Sequence, residues 1–164
     1  MVTVEQATEK DMGLVRFMAE QVFPATYREI LTPEQCGYMM EMMYSADSLC
    51  RQLADGHVYF IGRYDGEPCG YFSVERQGEH LFHLQKIYVL PSFQGRHIGG
   101  TLFDEAVRYI KSIHPEPCTM ELNVNRFNKA LRFYEHKGMR KLREGDFPIG
   151  NGYYMNDYIM GIEI

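Results

Sequence analysis

Apolar residues recur with two different periods along this chain, and the changes of period divide it into elements. Val2 and Val4 alternate with polar neighbours and predict a short strand over residues 1–8. Met12, Val15, Phe17, Met18 and Val22 follow at near-helical spacing and predict a helix over 9–23 that Pro24 breaks. Thr32, Pro33, Glu34 and Gln35 form a start signal for a second helix, which carries Tyr38, Met39, Met40, Met42, Met43 and Tyr44. A further helical turn spans 45–54 and closes at Asp55-Gly56.

The period then becomes that of a strand. Residues 57–63 and 69–75 are β-type runs joined by Asp65-Gly66-Glu67-Pro68, which predicts a hairpin. In the next run, 81–90, the apolar beat falls on Phe82 and Leu84 and then on Ile87 and Val89. One extra residue in a strand produces such a parity switch, so a β-bulge is expected near residues 85–88.

Past Pro91 a glycine-rich segment, Ser92 to Gly100, leads into a helix with Ile98, Leu102, Phe103, Ala106, Val107, Ile110 and Ile113 on one face, ended by Pro115 and Pro117. Residues 118–124 read as a strand and 125–137 as a helix with His136 and Lys137 in its last turn and Gly138 just past its end. Two closing strands, 139–147 and 153–162, flank a Gly150-Asn151-Gly152 turn. The order implies one mixed sheet with helices on both faces, in a chain of 164 residues that suits a single domain spanning 1–164.

Composition narrows the function classes. Seventeen Lys plus Arg against 22 Asp plus Glu give a net charge of −5, which argues against a general affinity for nucleic acid and favours a cationic small molecule as guest. Cys36, Cys50, Cys69 and Cys118 form no C-x-x-C pair, so neither a disulfide framework nor a metal site is expected, and a reducing, cytoplasmic setting is the simplest reading. No segment has the length or apolarity of a membrane span or an export signal.

The strand, Pro91, glycine turn and helix together carry the chemistry. A helix start bared by glycines aims unpaired N–H groups and the positive end of the macrodipole at one spot, where a pyrophosphate binds. The same turn also serves as a plain structural loop. Gly95 is followed by four residues, Gly100 and Thr101 with no Lys, so it is not a Walker A loop, and G-x-G-x-x-G is absent.

Gln94-Gly95-x-x-Ile98-Gly99, preceded by Ile87-Tyr88-Val89-x-Pro91 and followed by Leu122-x-Val124-x-x-x-Asn128-x-x-Ala130-Leu131-x-Phe133-Tyr134-Glu135-x-x-Gly138-Met139, resembles the GNAT superfamily of N-acetyltransferases. The resemblance implies an α/β (α+β) fold: a single mixed, mostly antiparallel sheet of about seven strands split by the bulge, with helices on both faces. It implies acetyl-CoA as co-substrate, with pantetheine pairing as a surrogate strand beside Ile87, Tyr88, Val89, Asn123 and Asn128. The pyrophosphate would lie on Gln94, Gly95, Arg96, His97, Ile98, Gly99, Gly100 and Thr101. The family usually has glycine where this chain has His97, a residue that tolerates left-handed backbone less well than glycine.

The resemblance gives Tyr134 the role of general acid toward the departing thiolate; by its spacing alone, Tyr134 is also part of an apolar stripe with Ala130, Leu131 and Phe133. An acceptor ammonium must lose a proton before it attacks. His83 on the strand before the bulge, or Glu75 on the adjacent strand acting directly or through water, are the candidate bases. Phe23-x-x-Thr26-Tyr27 and the ending Asn156-Asp157-Tyr158-Ile159-Met160 are similar to the branch containing bacterial spermidine/spermine-type enzymes, with Glu34, Glu41 or Asp157 as cation partners. Rival readings are a peptide or protein N-terminus as acceptor, and a non-catalytic acyl-CoA-binding module. The methionine-rich helix has a pocket wall, a homodimer contact or core packing as alternative uses.

Overall fold

The computed structural model describes residues 1–164. Strand β1 (Val2–Gln6) leads through a 3-10 turn (Glu9–Asp11) into helices α1 (Met12–Tyr27), α2 (Pro33–Tyr44) and α3 (Ala46–Ala54). Strands β2 (Val58–Tyr64), β3 (Glu67–Gly78) and β4 (Leu81–Val89) precede α4 (Ile98–Ile113), and β5 (Thr119–Asn125), α5 (Leu131–His136), β6 (Arg140–Gly150) and β7 (Tyr153–Glu163) complete the chain. The seven strands form one sheet in the order β1-β2-β3-β4-β5-β7-β6, antiparallel except for the β4–β5 pair.

Two apolar cores cover the two faces. Leu102, Phe103, Ala106 and Ile110 of α4 pack on Phe72, Phe82, Leu84 and Met120, while Val15, Met18, Phe23, Met39 and Leu49 of α1 to α3 pack on Tyr59, Ile61 and Tyr71. Thr32 caps α2 by accepting the Gln35 N–H at 3.2 Å, and Ser45 caps α3 by accepting the Ser48 N–H at 3.1 Å.

Two predicted boundaries are corrected. Helix α1 runs through Pro24 to Tyr27, because proline removes a single donor and the buried Phe23 and Tyr27 hold the last turn against the core. The helix expected from residue 125 begins only at Leu131. Asn125 Oδ1 accepts the Phe127 N–H and Asn128 Oδ1 accepts the Ala130 N–H, both at 2.9 Å, and these side-chain turns displace the helix. Its end is as expected: Gly138 at φ 98° and Met139 return their N–H groups to Glu135 and Tyr134, each at 3.0 Å.

Candidate active site

The site grows from the bulge. Ser73 pairs with Lys86 and Val74 with Leu84, so Gln85 is the extra residue, inside the predicted window. Beyond it Ile87 and Val89 turn toward α4 while Lys86 and Tyr88 turn toward α1. Strands β4 and β5 share a ladder only where Leu81 to His83 meet Thr119 to Glu121. Past that point the two strands diverge, and each is paired only on its outer side, β4 by β3 and β5 by β7. The backbone edges facing each other across the gap need hydrogen-bond partners. The gap is a cleft of about 1280 Å³.

At one end of the cleft lies the start of α4. His97, its N-cap, has left-handed backbone at φ 60°, and Gly95 has φ 83°. The first helical bond is the Thr101 N–H to His97 O at 3.4 Å, so the Ile98, Gly99 and Gly100 amides have no intrahelical partner. A Cβ at Gly95 or Gly100 would meet nothing within 4 Å, which leaves the approach to these amides open. Gln94 lines the cleft and ties the loop to the strand end by donating to Val89 O at 3.2 Å.

Arg96 departs from the expected set. Its guanidinium stacks on Tyr64 and Phe93, 5.2 and 5.5 Å from the ring centres, and does not line the cleft. Thr101 likewise stays outside, its hydroxyl facing His97 O at 3.4 Å. Lys129 and Lys137 line the cleft instead, Lys137 being held by Asp104 at 2.7 Å. Sequence reasoning missed both, because their spacing from the glycine loop carries no periodic signal.

Tyr134 lines the cleft and is 8% exposed. Burial pushes its phenol well up, and the neighbouring Tyr88 adds to the shift, so Tyr134 keeps its proton at neutral pH. Asn123 and Asn128 line the same cleft, and Asn123 Nδ2 donates to Asp157 Oδ2 at 3.3 Å. Tyr27 and Tyr88, with hydroxyls 3.2 Å apart, wall the side nearer α1, where Thr26, Arg28 and Glu29 form the rim.

His83 and Glu75 are brought together but set behind the cleft. Glu75 pairs with His83 across β3–β4, and His83 with Glu121 across β4–β5, in a row that Arg143 closes by an ion pair to Glu121 at 2.9 Å. Burial pushes the His83 imidazole down, against the opposing pull of Glu121 and Glu75. Neither His83 nor Glu75 lines the cleft; Gln85 does, and its Nε2 donates to Glu75 Oε1 at 2.9 Å. His57 Nε2 lies 3.2 Å from Glu75 Oε2.

The expected cation partners divide. Glu41 pairs outward with Arg16 at 3.5 Å, Glu34 is exposed away from the cleft, and Asp157 is buried beside Asn123. No methionine of α2 lines the cleft: Met39 is fully buried and Met40 and Met43 pack on the same core.

A family model described as an acetyltransferase (GNAT) domain matches residues 27–152. An uncharacterised N-acetyltransferase of Lactobacillus delbrueckii subsp. lactis is 26% identical over 159 residues, covering 92% of this chain and 91% of that one. Another, from Mycobacterium tuberculosis, is 25% identical over 149 residues, covering 90% and 94%. Among solved structures, the PaiA N-acetyltransferase of Thermoplasma acidophilum in complex with coenzyme A superimposes with a TM-score of 0.78 at 18% identity, over 100% and 99% of the two chains. A spermidine N-acetyltransferase SpeG chimera from Vibrio cholerae and hSSAT gives 0.72 at 20% identity, over 98% and 94%. At these identities the superpositions establish a common fold.

Proposed function

The chain belongs to the GNAT acetyltransferase family, and on that premise we propose that it moves an acetyl group from acetyl-CoA to a small, cationic primary amine by direct attack. The observation that carries this reading is the splayed β4–β5 gap that holds Tyr134 and ends on the bared start of α4. Those features fit the co-substrate: unpaired strand edges for the amides of pantetheine, and free helix amides with Lys129 and Lys137 for its phosphates. Acetyl-CoA, when bound, supplies the acetyl group as an activated thioester.

The chain's own residues do the rest. The α4 amides and the two lysines bind anionic oxygens, and Asn123 and Asn128 orient amide groups in the gap. Tyr134 holds a proton on its hydroxyl for the leaving sulfur, and its burial keeps that proton in place until it is needed. A base role for His83 or Glu75 has to run through Gln85, the member of their network that lines the cleft. The net charge of −5 and Glu29 at the rim favour a cationic acceptor. Buried, unpaired Cys69 and Cys118 suit the reducing cytoplasm as its place of action.

The test is thiol release from acetyl-CoA over a panel of primary amines including polyamines and peptides with a free N-terminus. Release with a small amine is the expected result. Tight acetyl-CoA binding with no release across the panel would replace this reading with a binding-only module, and release with peptides alone would move the acceptor to an N-terminus.

A further inference from the structure

Phe127, just past β5, lines the cleft, yet its ring is 76% exposed and belongs to neither apolar core. It is the most exposed aromatic side chain of the protein, and every other ring lining the cleft is buried or half-buried. A single exposed ring is ordinary on a surface. This one stands on a backbone that is tied down on both sides. The Arg126 N–H donates to Asn156 O at 3.0 Å, the Phe127 N–H to Asn125 Oδ1 at 2.9 Å and the Asn128 N–H to Asn125 O at 3.0 Å. The Arg126 guanidinium adds an ion pair to Asp146 and a hydrogen bond to Gly145 O at 3.1 Å. A ring presented from fixed backbone loses little freedom when a flat partner covers it.

Strand direction decides which end of the cleft this ring occupies. Strands β4 and β5 are parallel where they pair, so their C-terminal ends lie at the same end of the gap. From that end β4 leads through Pro91 into the glycine turn and the bared start of α4, and β5 leads into the Phe127 loop. Helix α5, which the loop enters, rests on the same helix start: a Cβ at Gly99 would meet the Phe133 ring at 3.6 Å, and Lys137 pairs with Asp104 of α4 at 2.7 Å. Lys129, two residues beyond Phe127, lines the cleft as well. An exposed π-face beside free helix amides and lysines is the combination that receives a nucleotide, base on ring and phosphates on cations.

We propose that the Phe127 ring is the platform on which the adenine of acetyl-CoA stacks. The assignment rests on the reading above that acetyl-CoA fills this cleft, and it adds a separate handle at the nucleotide end. The thioester end is gripped between strands, whereas the base is gripped by one ring. The protein therefore distinguishes whole CoA from a pantetheine arm that carries no adenosine.

The experiment reads the ring directly, without turnover. The chain has no tryptophan, so Phe127→Trp places a single indole at the platform. CoA is expected to quench its emission by stacking, and saturating 4′-phosphopantetheine is expected to leave it unchanged. By calorimetry, Phe127→Ala is expected to raise the Kd for CoA ~10-fold while the Kd for 4′-phosphopantetheine stays within ~2-fold of wild type. Its melting temperature should match wild type, because the ring is packed in neither core. An indole unquenched by bound CoA overturns the platform, as does a Phe127→Ala Kd for CoA within ~3-fold of wild type or an equal loss for both ligands. A wild-type protein that binds no CoA overturns the platform and the acetyl-CoA reading together. CoA that binds and quenches, with no amine acetylated, would refute acetyl transfer and uphold the platform.

Discussion

Lys86 gives the folded protein a pH dependence that a single substitution should remove. The residue follows the bulge on β4, and its ammonium lies 4.6 Å from the ring centre of Tyr44 and 5.1 Å from that of Tyr59. Its hydrogen bonds go to Gln52 Oε1 at 2.7 Å and to the Tyr59 hydroxyl, and no carboxylate pairs with it. Burial lowers its pKa from 10.5 to about 7. At ~1.4 kcal/mol per tenfold, that gap corresponds to about 5 kcal/mol of penalty for the charged form in the fold. Between these two values the unfolded chain holds the proton and the folded chain does not, so stability rises with pH across that window and the penalty is fully present below it.

Lys86→Met keeps the length of the side chain and removes the charge, while Tyr59 still donates to Gln52 Oε1 at 2.6 Å, so no buried acceptor is orphaned. The variant should therefore gain stability relative to wild type by about 3 kcal/mol more at pH ~6 than at pH ~9.5, the part of the linkage that falls in that interval. The chain has no tryptophan, so urea unfolding is best followed by far-UV circular dichroism. A stability difference equal at the two pH values within ~0.5 kcal/mol would refute the buried, charge-penalised ammonium.

Three further outcomes test the cleft. Tyr134→Phe should cut turnover by ~100-fold with acetyl-CoA affinity nearly unchanged, read by steady-state kinetics beside calorimetry; full turnover would remove the acid role. Gly100→Asp meets open space and adds a negative charge in the first turn of α4. Its melting temperature should hold or rise while CoA affinity falls ~10-fold or more, and intact affinity would place the phosphates elsewhere. His97→Val puts a β-branched residue at φ 60° and should cost ~1–2 kcal/mol in thermal or urea unfolding, whereas His97→Gly should not; equal effects would contradict the left-handed N-cap.

Much of this architecture is legible along the chain because it rests on local rules. The order of elements follows from changes of apolar period, and the switch from Phe82 and Leu84 to Ile87 and Val89 locates the bulge at Gln85, because a pleat alternates sides at every residue. Thr32-Pro33 and Gly138 mark helix ends through backbone geometry that neighbours alone decide. Local signals also misled: Pro24 suggested a break that tertiary packing overrode, and the helix expected from residue 125 yielded to two asparagine side-chain turns.

The membership of the cleft is where sequence reasoning reached its limit. Gln94, Gly95, His97 and the start of α4 could be named because they are consecutive, and consecutive residues share one turn. Arg96 belongs to the same run, yet the rings of Tyr64 and Phe93 draw it away. Lys86, Lys129, Lys137 and Tyr27 come from separate elements, and His57 joins Glu75 only through the β2–β3 pairing. The sequence by itself determined which segments form strands, helices and the glycine turn before α4, since those depend on periodicity and backbone freedom. Only the tertiary structure decided which charges meet across the sheet and which ammonium is buried without a carboxylate, because register and desolvation are properties of packed elements and of no single segment.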